Sequence, residues 1–151
     1  MPLVYADTSA LFAYFYPRDE FTRPVTAAAR DGSPDFIYWI YARFELRHAL
    51  RQARLDRYGE TAWNALRAAE KTQARLRWQS DLKCESLLES ADEFSAQHAL
   101  GCDAGAGDFL HVAAAKRVNL IHGLDAFWTC DEQQAAAARL AGLAVRLFKV
   151  R

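Results

Sequence analysis

Leu3-Val4-Tyr5-Ala6-Asp7-Thr8-Ser9 is the stretch that decides how this chain folds. Its four apolar residues read as a short buried strand, and Asp-Thr-Ser is a helix-start signal directly behind it. The same succession recurs downstream. Strands are expected at 36–40, within 120–129 and at 143–148, where β-branched and aromatic residues cluster. Helical patterns run over 10–15, 21–30, 42–55, 61–76, 85–100, 108–118 and 131–140. Pro17 stops the first, Asp31-Gly32-Ser33-Pro34 closes the second and Gly142 ends the last. Strands alternating with helices imply an α/β fold, a central mostly parallel β-sheet flanked by α-helices.

The 151 residues are 52% hydrophobic and 25% charged, which suits one folded domain over 1–151. No run approaches the ~18–20 apolar residues of a membrane-spanning helix, and Met1-Pro2-Leu3-Val4 does not open like a signal peptide. A cytoplasmic protein without membrane contact is expected. Cys84, Cys102 and Cys130 are widely spaced and form no CxxC pair, which argues against a disulfide framework or a zinc site. The formal net charge of zero argues against nucleic-acid binding through bulk charge. It is a cancellation, however. Residues 43–77 carry nine Lys/Arg against four Asp/Glu, and residues 81–108 carry seven acids against one lysine.

In open parallel sheets, functional groups gather beyond the carboxyl ends of the strands. Asp7 follows the first strand and Asp131 follows Phe127-Trp128-Thr129, so parallel pairing brings both to one sheet edge. Each also suits an ordinary cap: Asp7 precedes a helix, and Asp131 with Gln134 makes a D-x-x-Q pattern. Capping and metal binding are compatible. At about 100° per residue, Ala42, Leu46, Ala49, Leu50 and Ala53 form a buried stripe with Glu45 on its border. A carboxylate placed there needs a partner: an arginine, a backbone group or a metal. Asp108 opens a helix after Gly105-Ala106-Gly107, where the helix dipole favours an acid. His111, one turn on, reads as a packed, hydrogen-bonded histidine and not as a ligand.

As a set, four acids without a His or Cys pattern suit a hard divalent cation. Mg²⁺ and Mn²⁺ take oxygen ligands, and clustered carboxylates repel one another unless a cation neutralises them. Such a cation acidifies a water and orients it for attack on a phosphodiester.

Val4-Tyr5-Ala6-Asp7-Thr8-Ser9-Ala10-Leu11 resembles the opening strand and turn of PIN-domain ribonucleases. Phe44-Glu45-Leu46-Arg47-His48-Ala49-Leu50 is similar to their second acidic motif, and Asp108-Phe109-Leu110-His111-Val112-Ala113-Ala114-Ala115 to their third. Phe127-Trp128-Thr129-Cys130-Asp131-Glu132-Gln133-Gln134, with Ala141-Gly142-Leu143 beyond it, looks like the fourth acid, its helix and the last strand. Order and coarse spacing agree along nearly the whole chain, and the size resembles VapC-like toxins of type II toxin–antitoxin pairs. The resemblance implies a PIN-like fold, Mg²⁺- or Mn²⁺-dependent endoribonuclease activity on RNA, a cognate antitoxin and a homodimer. It assigns Asp7, Glu45, Asp108 and Asp131 to the metal site as the catalytic acids, with Ser9 and Thr129 as supporting hydroxyls.

Two departures accompany it. Residues 101–107 make a long approach to the third acid and add Asp103; the long segment from His111 to Asp131 makes Asp125 a rival for the fourth. Asp131 is preferred, because Glu132-Gln133-Gln134 and the distance to Gly142-Leu143 fit the pattern.

Arg43, Arg47, Arg51 and Arg54 share a stripe far round the helix from Glu45. It reads either as a solvated face with ion pairs, or as a surface for an RNA backbone or an acidic antitoxin segment. The aromatics Phe12, Tyr14, Phe15 and Tyr16, beside the first acid, read mainly as core or dimer interface. Two other functions compete. One is a catalytically silent PIN-fold module that binds a partner protein. The other is an aspartate-based phosphotransfer domain or phosphatase, against which Asp7-Thr8-Ser9 lacks the second acid of a D-x-D nucleophile motif.

Overall fold

The computed structural model describes residues 1–53, 56–72, 75–79 and 82–150. Five strands, β1 (Leu3–Ala6), β2 (Asp35–Trp39), β3 (Leu76–Gln79), β4 (Ala126–Thr129) and β5 (Val145–Leu147), form one sheet in the order β3-β2-β1-β4-β5. Every pairing is parallel. The helices are α1 (Thr8–Phe15), α2 (Thr22–Gly32), α3 (Ile40–Ala53), α4 (Arg57–Thr72), α5 (Cys84–His98), α6 (Ala106–His122) and α7 (Glu132–Leu140).

The winding explains where the helices lie. The chain steps outward from β1 to β3, then returns to place β4 on the other side of β1. Right-handed crossovers turn that reversal into a change of face. Accordingly, side chains from α1, α2, α3 and α4 pack with Val4, Ala6, Phe36, Tyr38 and Trp128. Side chains from α5, α6 and α7 pack with Tyr5, Ile37, Trp39 and Phe127. Alternate residues of each central strand face opposite layers, which is why these strands are apolar throughout.

The sequence and the structure differ mainly around β3. The helical pattern expected over 61–76 ends at Thr72, and Leu76 belongs to a strand. Only four residues long, Leu76-Arg77-Trp78-Gln79 has too little alternation to stand out from the helical run before it. Ile40, expected at the end of a strand, opens α3, and the last helical residues expected before Asp56 lie outside the described residues. The third acid sits inside a longer helix than expected, since α6 begins at Ala106. Gly142 ends α7 as expected, at φ +79° with its N–H donating to the Arg139 carbonyl.

The arginine stripe of α3 is largely engaged with α4. Arg43 Nε donates to Glu70 Oε1 at 2.8 Å, and Arg47 binds the other oxygen of the same carboxylate. The guanidinium of Arg51 lies 5.1 Å from the Trp63 ring centre; Arg54 is outside the described residues. Burial pushes the Glu70 carboxyl up, but the hydrogen bonds and charges of Arg43 and Arg47 outweigh it and hold it below the usual 4.5. A depressed carboxyl adds stability that is present above the unfolded value and is lost as pH falls through the folded one. Glu70→Gln is therefore expected to cost roughly 1–3 kcal/mol at pH 7. That difference should shrink below pH 4.5, as read by urea unfolding at the two pH values.

Candidate active site

Asp7 is the first residue beyond the central strand, and its N–H donates to the Trp128 carbonyl across the β1–β4 pair at 3.2 Å. The residue caps α1. Its Oδ1 accepts from the Ala10 N–H and the Ser9 hydroxyl, both at 2.8 Å. The side chain is fully buried, and Oδ2 accepts no hydrogen bond among the described residues. Burial raises the Asp7 carboxyl above its usual 3.8, against the hydrogen bonds from Ala10 and Ser9.

The end of β4 is tied to the same point. Ser9 Oγ accepts from the Cys130 N–H at 2.9 Å and lies 3.3 Å from the Thr129 hydroxyl, which accepts from the Asp131 N–H at 2.9 Å. Asp131 caps α7, its Oδ1 accepting from the N–H groups of Gln133 and Gln134 at 2.7 and 3.0 Å. Asp108 stands in the first turn of α6, where one oxygen accepts from the Gly105 N–H at 2.7 Å. Thus Asp7, Asp108 and Asp131 each commit one carboxylate oxygen to a helix start, leaving the second outside those capping bonds.

Glu45, on α3, is held differently. Its Oε2 accepts from the Thr8 hydroxyl at 2.6 Å and lies 2.8 Å from His111 Nε2. Its partners are thus a hydroxyl and an imidazole, neither among the three that the sequence suggested. Burial pushes Glu45 up, but the hydrogen bonds from His111 and Thr8 bring it below its usual 4.5. Asp108 is raised by burial, opposed by the Gly105 N–H and reinforced by the charges of Asp131 and Glu45. These three acids are close enough to feel one another.

Glu45, Asp108 and Asp131 line one cavity of about 420 Å³, with Thr8, Ser9, Phe12 and His111. Asp7 is fully buried and does not line it. Among the described residues no three of His, Cys, Asp and Glu come close enough to form a ready-made metal cage. A larger groove of about 790 Å³ runs between α5 and α6, but its one lining carboxylate among the described residues is Glu93.

The two rival acids lie elsewhere. Asp125 sits at the opposite end of β4 and accepts from the Leu3 N–H at 2.7 Å, beside the start of β1. Asp103 is exposed in the segment before α6 and does not line the cavity. A further acid, Asp19, does line it, with Oδ1 accepting from the Phe21 N–H at 2.9 Å. Sequence reasoning passed over Asp19; its position just ahead of a helical pattern was the available signal. Cys130 also lines the cavity, but burial and neighbouring carboxylates push its thiol up to about 12, so it carries no thiolate chemistry at neutral pH.

No protein-family model matches the sequence, and a search of curated proteins returned no significant match. Solved structures do match. The Mycobacterium tuberculosis toxin VapC20, described as cleaving the sarcin-ricin loop, superposes with a TM-score of 0.67 at 18% identity, over 89% of this chain and 94% of that one. The chain has a VapC-like PIN fold. PAE2754 from Pyrobaculum aerophilum matches with a TM-score of 0.51 at 19% identity, over 95% of this chain and 89% of the other. In this PIN fold the carboxyl edge of the sheet is where the four acids of the sequence motifs stand.

The burial of the Asp7 carboxyl bears on stability. A carboxyl raised on folding makes the metal-free protein less stable as pH rises from 3.8 through the folded value. Asp7→Asn keeps an acceptor for Ala10 and Ser9 but carries no charge. In chelator at neutral pH this variant is expected to melt higher than the parent, by about 2–4 °C for each kcal/mol of relieved desolvation. The gap should close as pH approaches 3.8, and calorimetry at both pH values checks it.

Proposed function

We propose that this chain is a divalent-metal-dependent endoribonuclease, a single PIN-like domain acting in the cytoplasm as the toxin of a toxin–antitoxin pair. The observation that carries the reading is the charge of the cavity. Asp19, Glu45, Asp108 and Asp131 line it, and no Lys or Arg does so among the described residues. A phosphodiester brought to such a surface meets only repulsion until a cation neutralises the acids. The fold shared with VapC20, whose description is of RNA cleavage, supports the same direction. Pairing with an antitoxin and homodimerisation rest on the family resemblance.

The donor set suits Mg²⁺ or Mn²⁺. All the acids offer hard oxygens, and Asp7 Oδ2 is a buried acceptor without a partner among the described residues. Mg²⁺ keeps several waters and needs one or two carboxylates with substrate phosphate, so a ready-made cage is not required. Asp7, Glu45, Asp108 and Asp131 are the residues that would hold it. When bound, the cation supplies positive charge and an acidified water at the phosphodiester.

The chain's own groups do the positioning. Capping bonds fix Asp7, Asp108 and Asp131 at the starts of α1, α6 and α7. The partial positive charge of those three helix starts favours the capping carboxylates. Ser9 and Thr129 keep the ends of β1 and β4 at a fixed separation, and Thr8 orients Glu45.

Cleavage of a structured RNA should require Mg²⁺ or Mn²⁺ and cease in chelator. Asp7→Asn and Asp131→Asn should each lower the rate by more than roughly the 10–100-fold typical of losing an outer-shell partner of a metal ligand. Asp125→Asn should leave the rate unchanged, because its carboxylate serves the far end of the sheet. Full cleavage in chelator, or by a folded Asp7→Asn variant, overturns the reading. A folded parent that cuts no RNA but binds a partner protein stably supports the silent module instead.

A further inference from the structure

We propose that His111 is a positioning residue for Glu45, clasping the second acid from the opposite layer of the fold; this rests on the metal-site reading above. His111 lies one turn beyond Asp108 on α6, so both face the same edge. Glu45 belongs to α3, on the other side of the sheet. The 2.8 Å contact between His111 Nε2 and Glu45 Oε2 therefore joins the two helical layers just beyond β1, where Thr8 reaches the same oxygen. α6 thus supplies one acid directly and holds another.

The orientation of the imidazole is over-determined. Its side chain is only 4% exposed. The ring lies between Tyr5, edge-on at 6.3 Å between centres, and Tyr41 at 5.6 Å. A carboxylate can only accept, so Nε2 must carry the hydrogen that it directs at Glu45. On the other side, the Tyr5 hydroxyl faces Nδ1 at 3.4 Å. A phenol keeps its hydrogen at neutral pH and can donate it to Nδ1. The chain Tyr5–His111–Glu45 thereby leaves the carboxylate one fixed direction, as an outer-shell hydrogen bond does for a metal ligand.

The test is Mn²⁺ titration calorimetry on the full chain and its His111→Phe, His111→Gln and Tyr5→Phe variants, with melting curves for each. His111→Phe keeps a ring between the two tyrosines but removes the donor. It should weaken Mn²⁺ binding about 10–100-fold. His111→Gln offers an amide N–H near the position of Nε2 and should stay within about threefold of the parent. Tyr5→Phe should fall between them. Independently of any metal, long-range ¹H–¹⁵N correlation on the parent should find His111 protonated at Nε2.

A folded His111→Phe variant that binds Mn²⁺ like the parent overturns the role of His111 and leaves the metal site standing. So does a folded His111→Gln variant as weak as His111→Phe, since the ring and not its N–H would then matter. A parent that takes up no Mn²⁺ overturns the metal reading, and this proposal with it. Should His111→Phe fail to fold, the ¹⁵N spectrum decides: a ring bare at Nε2 overturns the assignment.

Discussion

The burial of one carboxylate, Asp7, constrains everything around it. β1 is flanked by β2 and β4, so the residue that ends it is closed off from solvent on both sides. An isolated carboxylate in that position is costly, and the surroundings answer with donors: the Ala10 N–H and the Ser9 hydroxyl on one oxygen. The second oxygen has no such answer among the described residues. A group kept at a cost to folding marks a place where structure has been arranged for something other than stability. Parallel pairing then carries the end of β4 to the same spot, and Ser9 and Thr129 lock the two strand ends together.

The charges of the molecule are sorted by this arrangement. Acids occupy helix starts at the carboxyl edge, where dipoles and capping N–H groups tolerate them. The described arginines of the α3 stripe do not line the acidic cavity. Arg43 and Arg47 neutralise the buried Glu70, and Arg51 lies against Trp63, so this stripe serves the α3–α4 contact. Basic composition in a stretch of sequence did not translate into a basic surface beside the acidic cavity. The two surfaces that the charge count suggested are thus unequal: the acidic one is concentrated, and the described part of the basic stripe is engaged with α4.

Most of the fold was legible because its signals are local. Leu3-Val4-Tyr5-Ala6 before Asp7-Thr8-Ser9, and Phe127-Trp128-Thr129 before Asp131, announce strand-to-helix turns through residue types that act over a few positions. β3 was missed because four residues at the sheet edge carry too short a pattern, and its strand character comes from pairing with Phe36 through Trp39. At the site, the capping roles of Asp7 and Asp131 were readable for the same local reason. The partners of Glu45 were not, because Thr8 and His111 lie 37 and 66 residues away in the chain.

By itself, then, the sequence determined the α/β alternation, the helix starts and the edge at which Asp7 and Asp131 emerge. Propensity, capping and hydrophobic period are properties of neighbouring residues, and no tertiary contact is needed to express them. Only the tertiary structure decided that Asp125 serves the far end of the sheet, that Asp19 joins the cavity, and that His111 holds Glu45. Those outcomes depend on strand register and on which helical faces meet across the sheet. Both are fixed by packing between segments distant in the chain, which no local pattern encodes.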